Sequence, residues 1–248
     1  LMLGIGVLIT ILCGLGLGGL SQNPDNRIFF SKENPQLVAL ETLEKIYTKE
    51  DNVFLLLAPK DKNVFTPVNL NVVRELTDRL WKTPSSSRVD SITNFQWTRA
   101  EGDDLTISDL IPEGMISDES ALNAKIVALN EPLLLNSLVN QEATVTGINI
   151  TIIKPDDAIE AGSSVVKIMD FIRNEKKLFE KNNPDIDFYI SGGVPLTMAF
   201  TEVSLSDMGL LTPLMLLVIF LVAGIALRTI LGAILTAVIV VFSVIGML

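Results

Sequence analysis

The C-terminal run 209–248 constrains this chain more than any other stretch. It reads GLLTPLMLLVIFLVAGIALRTILGAILTAVIVVFSVIGML, and its single charged side chain is Arg228. About twenty residues lie on either side of that arginine, and at about 1.5 Å per residue each half spans about 30 Å as a helix, the thickness of the hydrocarbon core of a bilayer. The run therefore predicts two membrane-spanning helices, 209–227 and 229–248, joined by a very short turn at Arg228. A buried helix of a soluble protein can be this apolar, but two in succession at bilayer length are not expected there.

Charge is partitioned just as sharply. Residues 1–20 carry none, so the other charged side chains all lie between Ser21 and Asp207. Setting Arg228 aside from the 19 basic residues leaves 18 against 29 acidic ones, a net of about −11 for that stretch. A surface of this sign repels nucleic acid, which needs a basic stripe, and does not dock on anionic lipid. It suits a solvated domain kept soluble by excess carboxylate. There is no histidine, and the one cysteine, Cys13, sits in an apolar stretch. The commonest general base, the commonest zinc ligand and any disulfide framework are therefore missing.

The opening LMLGIGVLITILCGLGLGGL lacks a basic leader and an A-x-A cleavage pattern, so it reads as a first transmembrane helix, 1–20, rather than a signal peptide. Gly14 and Gly18 form a small-xxx-small pair of the kind that lets helices approach closely in lipid, although glycine is also simply common in spans. Because the chain opens Leu-Met and ends within an apolar run, it reads as a piece of a longer protein.

Between the spans, 21–208 reads as one extracytoplasmic α+β domain. Asn34-Pro35 opens an amphipathic helix with Leu37, Leu40, Leu43 and Ile46 on one face. VFLLLA (53–58) is a buried strand bounded by polar turns. Thr66-Pro67 pairs an N-cap with proline at the first helical position, and Val72, Val73, Leu76 and Leu80 supply that helix's inner face. RVDSITNFQWT (88–98) alternates as a half-buried strand with room for a bulge. An acidic loop or short hairpin follows, then a helix over 118–130, a strand over 143–153 and a long helix capped by Pro155-Asp156-Asp157. Val165, Ile168, Met169, Ile172 and Phe179 line the inner face of that helix. A last strand, 185–191, is broken by Gly192-Gly193-Val194-Pro195, which starts a helix directed at the membrane. The order β-α-β, helical insert, β-α-β predicts a ferredoxin-like (split βαβ) domain, a plan that by itself licenses no function.

Chemistry-bearing patterns are sparse. Ser85-Ser86-Ser87 beside Arg88 has no base to activate it and reads as a helix-ending loop. Glu101, Asp103, Asp104 and Asp109 lack the spacing of a calcium loop. Gly192-Gly193 lacks the lysine and spacing of a phosphate cradle. Asn149-Ile150-Thr151 matches a glycosylation sequon but falls mid-strand. No catalytic residue, cofactor or metal site is expected. Phe95, Trp97, Phe188 and Tyr189 are the candidate substrate-path residues, an apolar cleft where the domain meets the membrane, with plain sheet core as the competing reading. Gly192, Gly193, Pro195 and Arg228 are the candidate hinge and topology residues. As the one charge between the last two spans, Arg228 is expected on the cytoplasmic side, which places the acidic domain outside, in a bacterial periplasm.

Four stretches carry a resemblance: NPDNRIFFSKENPQL, YTKEDNVFLLLAPKD, SSRVDSITNFQWTRAEGDDLTISDLI and ISGGVPL. With the three-span layout, they resemble the first part of a resistance–nodulation–division (RND) exporter of the MMPL-type branch, over essentially the whole chain. The resemblance implies a bacterial inner-membrane transporter, driven by protons, that moves lipids or other hydrophobic compounds outward. Its partners would be the lipid bilayer, a lipid-like substrate, and the further helices and second repeat of a full-length protein. No Asp or Glu lies in 1–20 or 209–248, so a proton relay is expected beyond Leu248. The competing class is a membrane-tethered extracytoplasmic sensor or binding domain without transport.

Overall fold

A computed structural model describes residues 29–47, 51–101, 104–155, 157–229, 231–232, 234–236 and 238–240. The expected first span, 1–20, with Gly14 and Gly18, lies outside the described residues, as does most of the expected third. Asp103 of the acidic loop is outside them too. Contacts divide the chain into a compact unit at Pro24–Met198 and a second whose described part begins at Ala199.

In the first unit, α1 (Pro35–Tyr47) is followed by β1 (Asp51–Pro59), α2 (Pro67–Leu80) and β2 (Ser86–Asp90). Next come the hairpin β3 (Gln96–Glu101) and β4 (Asp104–Asp109), then α3 (Asp118–Asn130), β5 (Thr146–Ile152), α4 (Ala158–Asn182) and β6 (Ile186–Ser191). The main sheet has the order β2-β5-β1-β6, with every neighbouring pair antiparallel. β1 and β2, joined through α2, are parallel but separated by β5; β5 and β6, joined through α4, are parallel but separated by β1. Two β-α-β units thus interleave, so the two strands joined through each helix are not sheet neighbours.

The sheet has one core face. β1 alternates strictly, burying Val53, Leu55 and Leu57 while Asn52, Phe54 and Leu56 face the other way. β5 adds Ile148, Ile150 and Ile152, β2 adds Val89, and β6 adds Ile186 and Phe188. Against them pack Leu70, Val73, Leu76 and Leu80 of α2, and Val165, Ile168, Met169, Ile172 and Phe179 of α4. Each such side chain contributes about 1.5–3 kcal/mol by leaving water. Phe179 and Phe188 meet with ring centroids 5.2 Å apart at 56°, within the tilted geometry that aromatic quadrupoles favour.

The helix starts follow their sequence signals. Thr66 accepts a hydrogen bond from Asn69 N with Pro67 at the first position, and Asp157 accepts from Ile159 N and Glu160 N. α3, the insert, lies against α2, and its buried residues are Ala121, Ala124 and Ala128, small enough to permit close approach. Arg74 of α2 holds the link into α3 by donating to Gly114 O (2.7 Å) and Pro112 O (2.9 Å).

Two expectations change. The alternating stretch 88–98 is not one strand but two, β2 and β3, in different sheets. Side chains between them take over the hydrogen bonds that a ladder would use. Asn94 Oδ1 accepts from Ser91 N (2.8 Å), Asn94 Nδ2 donates to Val89 O (2.7 Å), and Ser91 Oγ bonds Thr77 and Thr93. In α1, Leu37 is buried but Leu40, Leu43 and Ile46 are exposed, so its apolar stripe is unpartnered among the described residues.

At the end of β6 the chain turns sharply through Gly192, φ +112°, into α5 (Gly193–Leu227). A Cβ at Gly192 would lie 2.7 Å from the backbone oxygen of Asn52, so glycine is demanded both by conformation and by space. α5 is long and apolar enough to cross a membrane. It contains Pro213 and ends at Leu227; Arg228 has φ +52°, and the described residues of 231–240 are helical again.

Two expected outcomes follow from this geometry, both read by thermal or denaturant unfolding of the chain. Phe188→Ala, at 2% exposure, loses about 3–5 kcal/mol, whereas Tyr189→Ala, at 54% on the opposite face, changes stability by less than about 0.5 kcal/mol. Gly192→Ala loses about 1–3 kcal/mol; an unchanged midpoint would show that the junction relaxes freely.

Candidate functional site

Among the described residues, no helix covers the second face of the sheet. Asn52 and Phe54 of β1, Arg88 and Asp90 of β2 and Asn149 of β5 share it, because cross-strand partners point the same way. Two loops rise beside it. One is the polar turn after β2, ending in Phe95. The other is the segment after α3, which docks on β5 as Gly147 N (2.7 Å) and Thr146 Oγ1 (3.1 Å) both donate to Leu138 O. Between loops and sheet lies a cleft of about 710 Å³. Trp81, at the C-terminal end of α2, forms part of its wall.

The lining is mixed. Phe54, Phe95 and Leu133 supply apolar surface; Asn52, Asn94, Asn149 and Ser91 supply neutral polar groups. Phe54 lies over Gly147, where any Cβ would collide with its ring. Arg88 and Asp90 are the charged side chains of the lining, and they pair with each other, Nε to Oδ1 at 2.6 Å. The wall therefore carries no net charge. Such a surface can accept a ligand that is largely apolar with a few neutral hydrogen-bonding groups.

Asn52 also reaches out of the cleft. Its Nδ2 donates to Asn149 Oδ1 at 2.9 Å, and its Oδ1 accepts from Gly193 N, the first residue of α5, at 3.1 Å. Beside it, Asp51 pairs with Lys154 at 2.5 Å, and the Asp51 carboxylate stands against Gly193 where a side chain would need to be. The cleft floor and the start of α5 thus share one hydrogen-bonded cluster.

The aromatic candidates are dispersed. Phe95 is half-buried and lines the cleft. Trp97 lies in the β3–β4 hairpin with the Arg99 guanidinium 4.9 Å above its ring. Phe188 is in the core, and Tyr189 is exposed on the other face of the sheet. Gly192, Gly193 and Pro195 form the β6–α5 junction, while Arg228 follows the last residue of α5. Asn52, Phe54 and Leu133 were not singled out by sequence pattern, and Asn149 only as the start of a glycosylation sequon. The available signal was Asn149 in mid-strand, a position asparagine normally avoids.

Elsewhere, the Glu33 carboxyl is held below its usual range, first by the Ser31 hydroxyl and then by its own backbone N–H, with burial opposing weakly; Glu33 is not part of the cleft lining. Among the described residues no three or more metal-capable side chains converge.

Comparison with curated proteins gives no match. The family model described as "MMPL family" matches residues 29–247, most of the chain. That span includes three of the four stretches on which the resemblance rested and most of the other, NPDNRIFFSKENPQL. With a match of this extent, over the interleaved sheet, its cleft and the apolar helix that follows, the chain belongs to the MMPL family.

Proposed function

We propose that this chain forms part of a proton-driven RND exporter that moves lipids or other hydrophobic compounds across the bacterial inner membrane. The observation that carries the reading is the MMPL match over residues 29–247. The structure adds physical support. Over 210–227, α5 exposes Leu210, Leu211, Leu214, Leu217, Leu221, Val222 and Ile225, side chains that in water would carry a steep cost and in lipid carry none. At about 1.5 Å per residue, the 35 residues of α5 extend about 50 Å, against about 30 Å of hydrocarbon. The part before Gly209, which holds Glu202 and Asp207, stands outside the bilayer in this reading.

The domain organisation is 1–20 as a first span, 21–208 as a periplasmic porter-type domain of ferredoxin-like plan, 209–227 as the second span and 229–248 as the third. The β2-β5-β1-β6 order supports that plan, since two split β-α-β units interleaved antiparallel have this arrangement. Arg228, in a left-handed turn between helical stretches, lies on the cytoplasmic side. Gly192, Gly193 and Pro195 form the joint through which the domain is tied to the second span. Among the aromatic candidates, Phe95 is the one that lines the cleft, and we place cargo contact there. Partners are the bilayer, a hydrophobic cargo, and the further helices and second repeat of the full-length protein. The role is transport rather than catalysis.

The test is reconstitution of the full-length protein in liposomes with a fluorescent lipid analogue. Transport that appears with an imposed proton gradient and collapses when a protonophore dissipates it is the expected result. Absence of transport, or transport indifferent to the protonophore, overturns the reading.

A further inference from the structure

Resting on the exporter reading, we propose that the cleft on the open sheet face binds an uncharged amphiphile. Asn149 Nδ2 donates to a carbonyl or hydroxyl oxygen of the ligand, and Phe54, Phe95 and Leu133 receive its apolar part.

A fixed donor sets the polarity of this site. The two ends of an asparagine amide are nearly alike in shape, so its orientation must come from its partners. The Gly193 backbone N–H can only donate, and it lies 3.1 Å from one end of the Asn52 amide. That end is therefore Oδ1, and the other end, Nδ2, must donate to Asn149. Asn149 consequently accepts with Oδ1 and presents NH2. This Nδ2 has no protein acceptor among the described residues, although Asn149 is half-buried in mid-strand and lines the cleft. A half-buried donor without a partner gains from a ligand oxygen and gains nothing from an apolar group.

Charge decides the class of ligand. The lining's two charged side chains neutralise each other at 2.6 Å, so an anionic head group finds no net attraction to offset the loss of its hydration. A neutral ester, amide or hydroxyl loses less on entering. Apolar side chains on the floor and rim, with about 710 Å³ between them, suit an acyl chain or ring system attached to that group. Asn52 is a positioning residue: it holds Asn149 in the donating orientation.

The experiment places the 248-residue chain in nanodiscs with 1-oleoylglycerol carrying a diazirine in its acyl chain, and in parallel with oleate carrying the same group. After photolysis, labelled peptides are identified by mass spectrometry. On the unaltered chain, the glyceride labels peptides spanning 91–96 and 131–138, and unlabelled 1-oleoylglycerol competes better than oleate. Asn149→Leu, which removes the amide, and Asn149→Asp, which keeps the acceptor for Asn52 but removes the donor, each reduce that labelling roughly fivefold or more. Circular dichroism confirms that each variant is folded. Equal or stronger labelling of these peptides by oleate, labelling confined to the apolar helices, or a folded variant labelled like the unaltered chain overturns the proposal. The preference on the unaltered chain decides the ligand class even if neither variant folds. Transport by the full-length protein is scored separately. Transport without cleft labelling sinks the site and spares the exporter reading; cleft labelling without transport does the reverse.

Discussion

β1 is the element on which everything else in the domain depends. Both of its edges are paired, to β5 on one side and β6 on the other, and both of its faces are used. Val53, Leu55 and Leu57 anchor the core, Asn52 and Phe54 form the floor of the cleft, and Asp51 and Asn52 meet the start of α5. A strand paired on both sides cannot slip by one residue without exchanging its two faces. Here such a slip would turn the amide of Asn52 into the core and expose three aliphatic side chains. The register of nine residues is therefore enforced by hydrophobic burial on one side and by hydrogen bonding on the other.

Much of this architecture is legible in the sequence because it rests on local chemistry. Thr66-Pro67 and Asp157 mark helix starts by the side-chain oxygens they offer to free backbone N–H groups, and each acts so. The five residues read as the inner face of the helix after Asp157 are all buried, since a 3.6-residue period leaves little choice of face. What was not legible is where local hydrogen bonding defeats a periodic pattern. Ser91, Thr93 and Asn94 interrupt an alternation that otherwise suits a single strand, because their side chains satisfy the backbone more closely than a neighbouring strand does. The stripe of α1 shows the other limit: periodicity identifies an apolar face but not what covers it.

The cleft was hidden for a different reason. Phe188 and Tyr189 are neighbours on a strand, so alternation alone places them on opposite faces. A site on the open face needed knowledge of where the segment after α3 returns. That return depends on Gly147 and Thr146 bonding Leu138 across the sheet, contacts with no periodic signature. Asn149 was visible in mid-strand, yet only its bond to Asn52, and that of Asn52 to the Gly193 N–H, gives it a meaning.

Phe54 over Gly147 has a consequence for how such a cleft changes over time. The floor is welded to the folding core, since each floor residue alternates with a core residue on the same strand, and a side chain at the glycine beneath the ring would displace the ring. The rim is not: Asn94, Gln96, Leu133 and Ser137 lie outside the four-stranded sheet. Drift in sequence is thus channelled to the rim. A lineage can revise which molecules fit the opening while the amides and the ring beneath remain as they are.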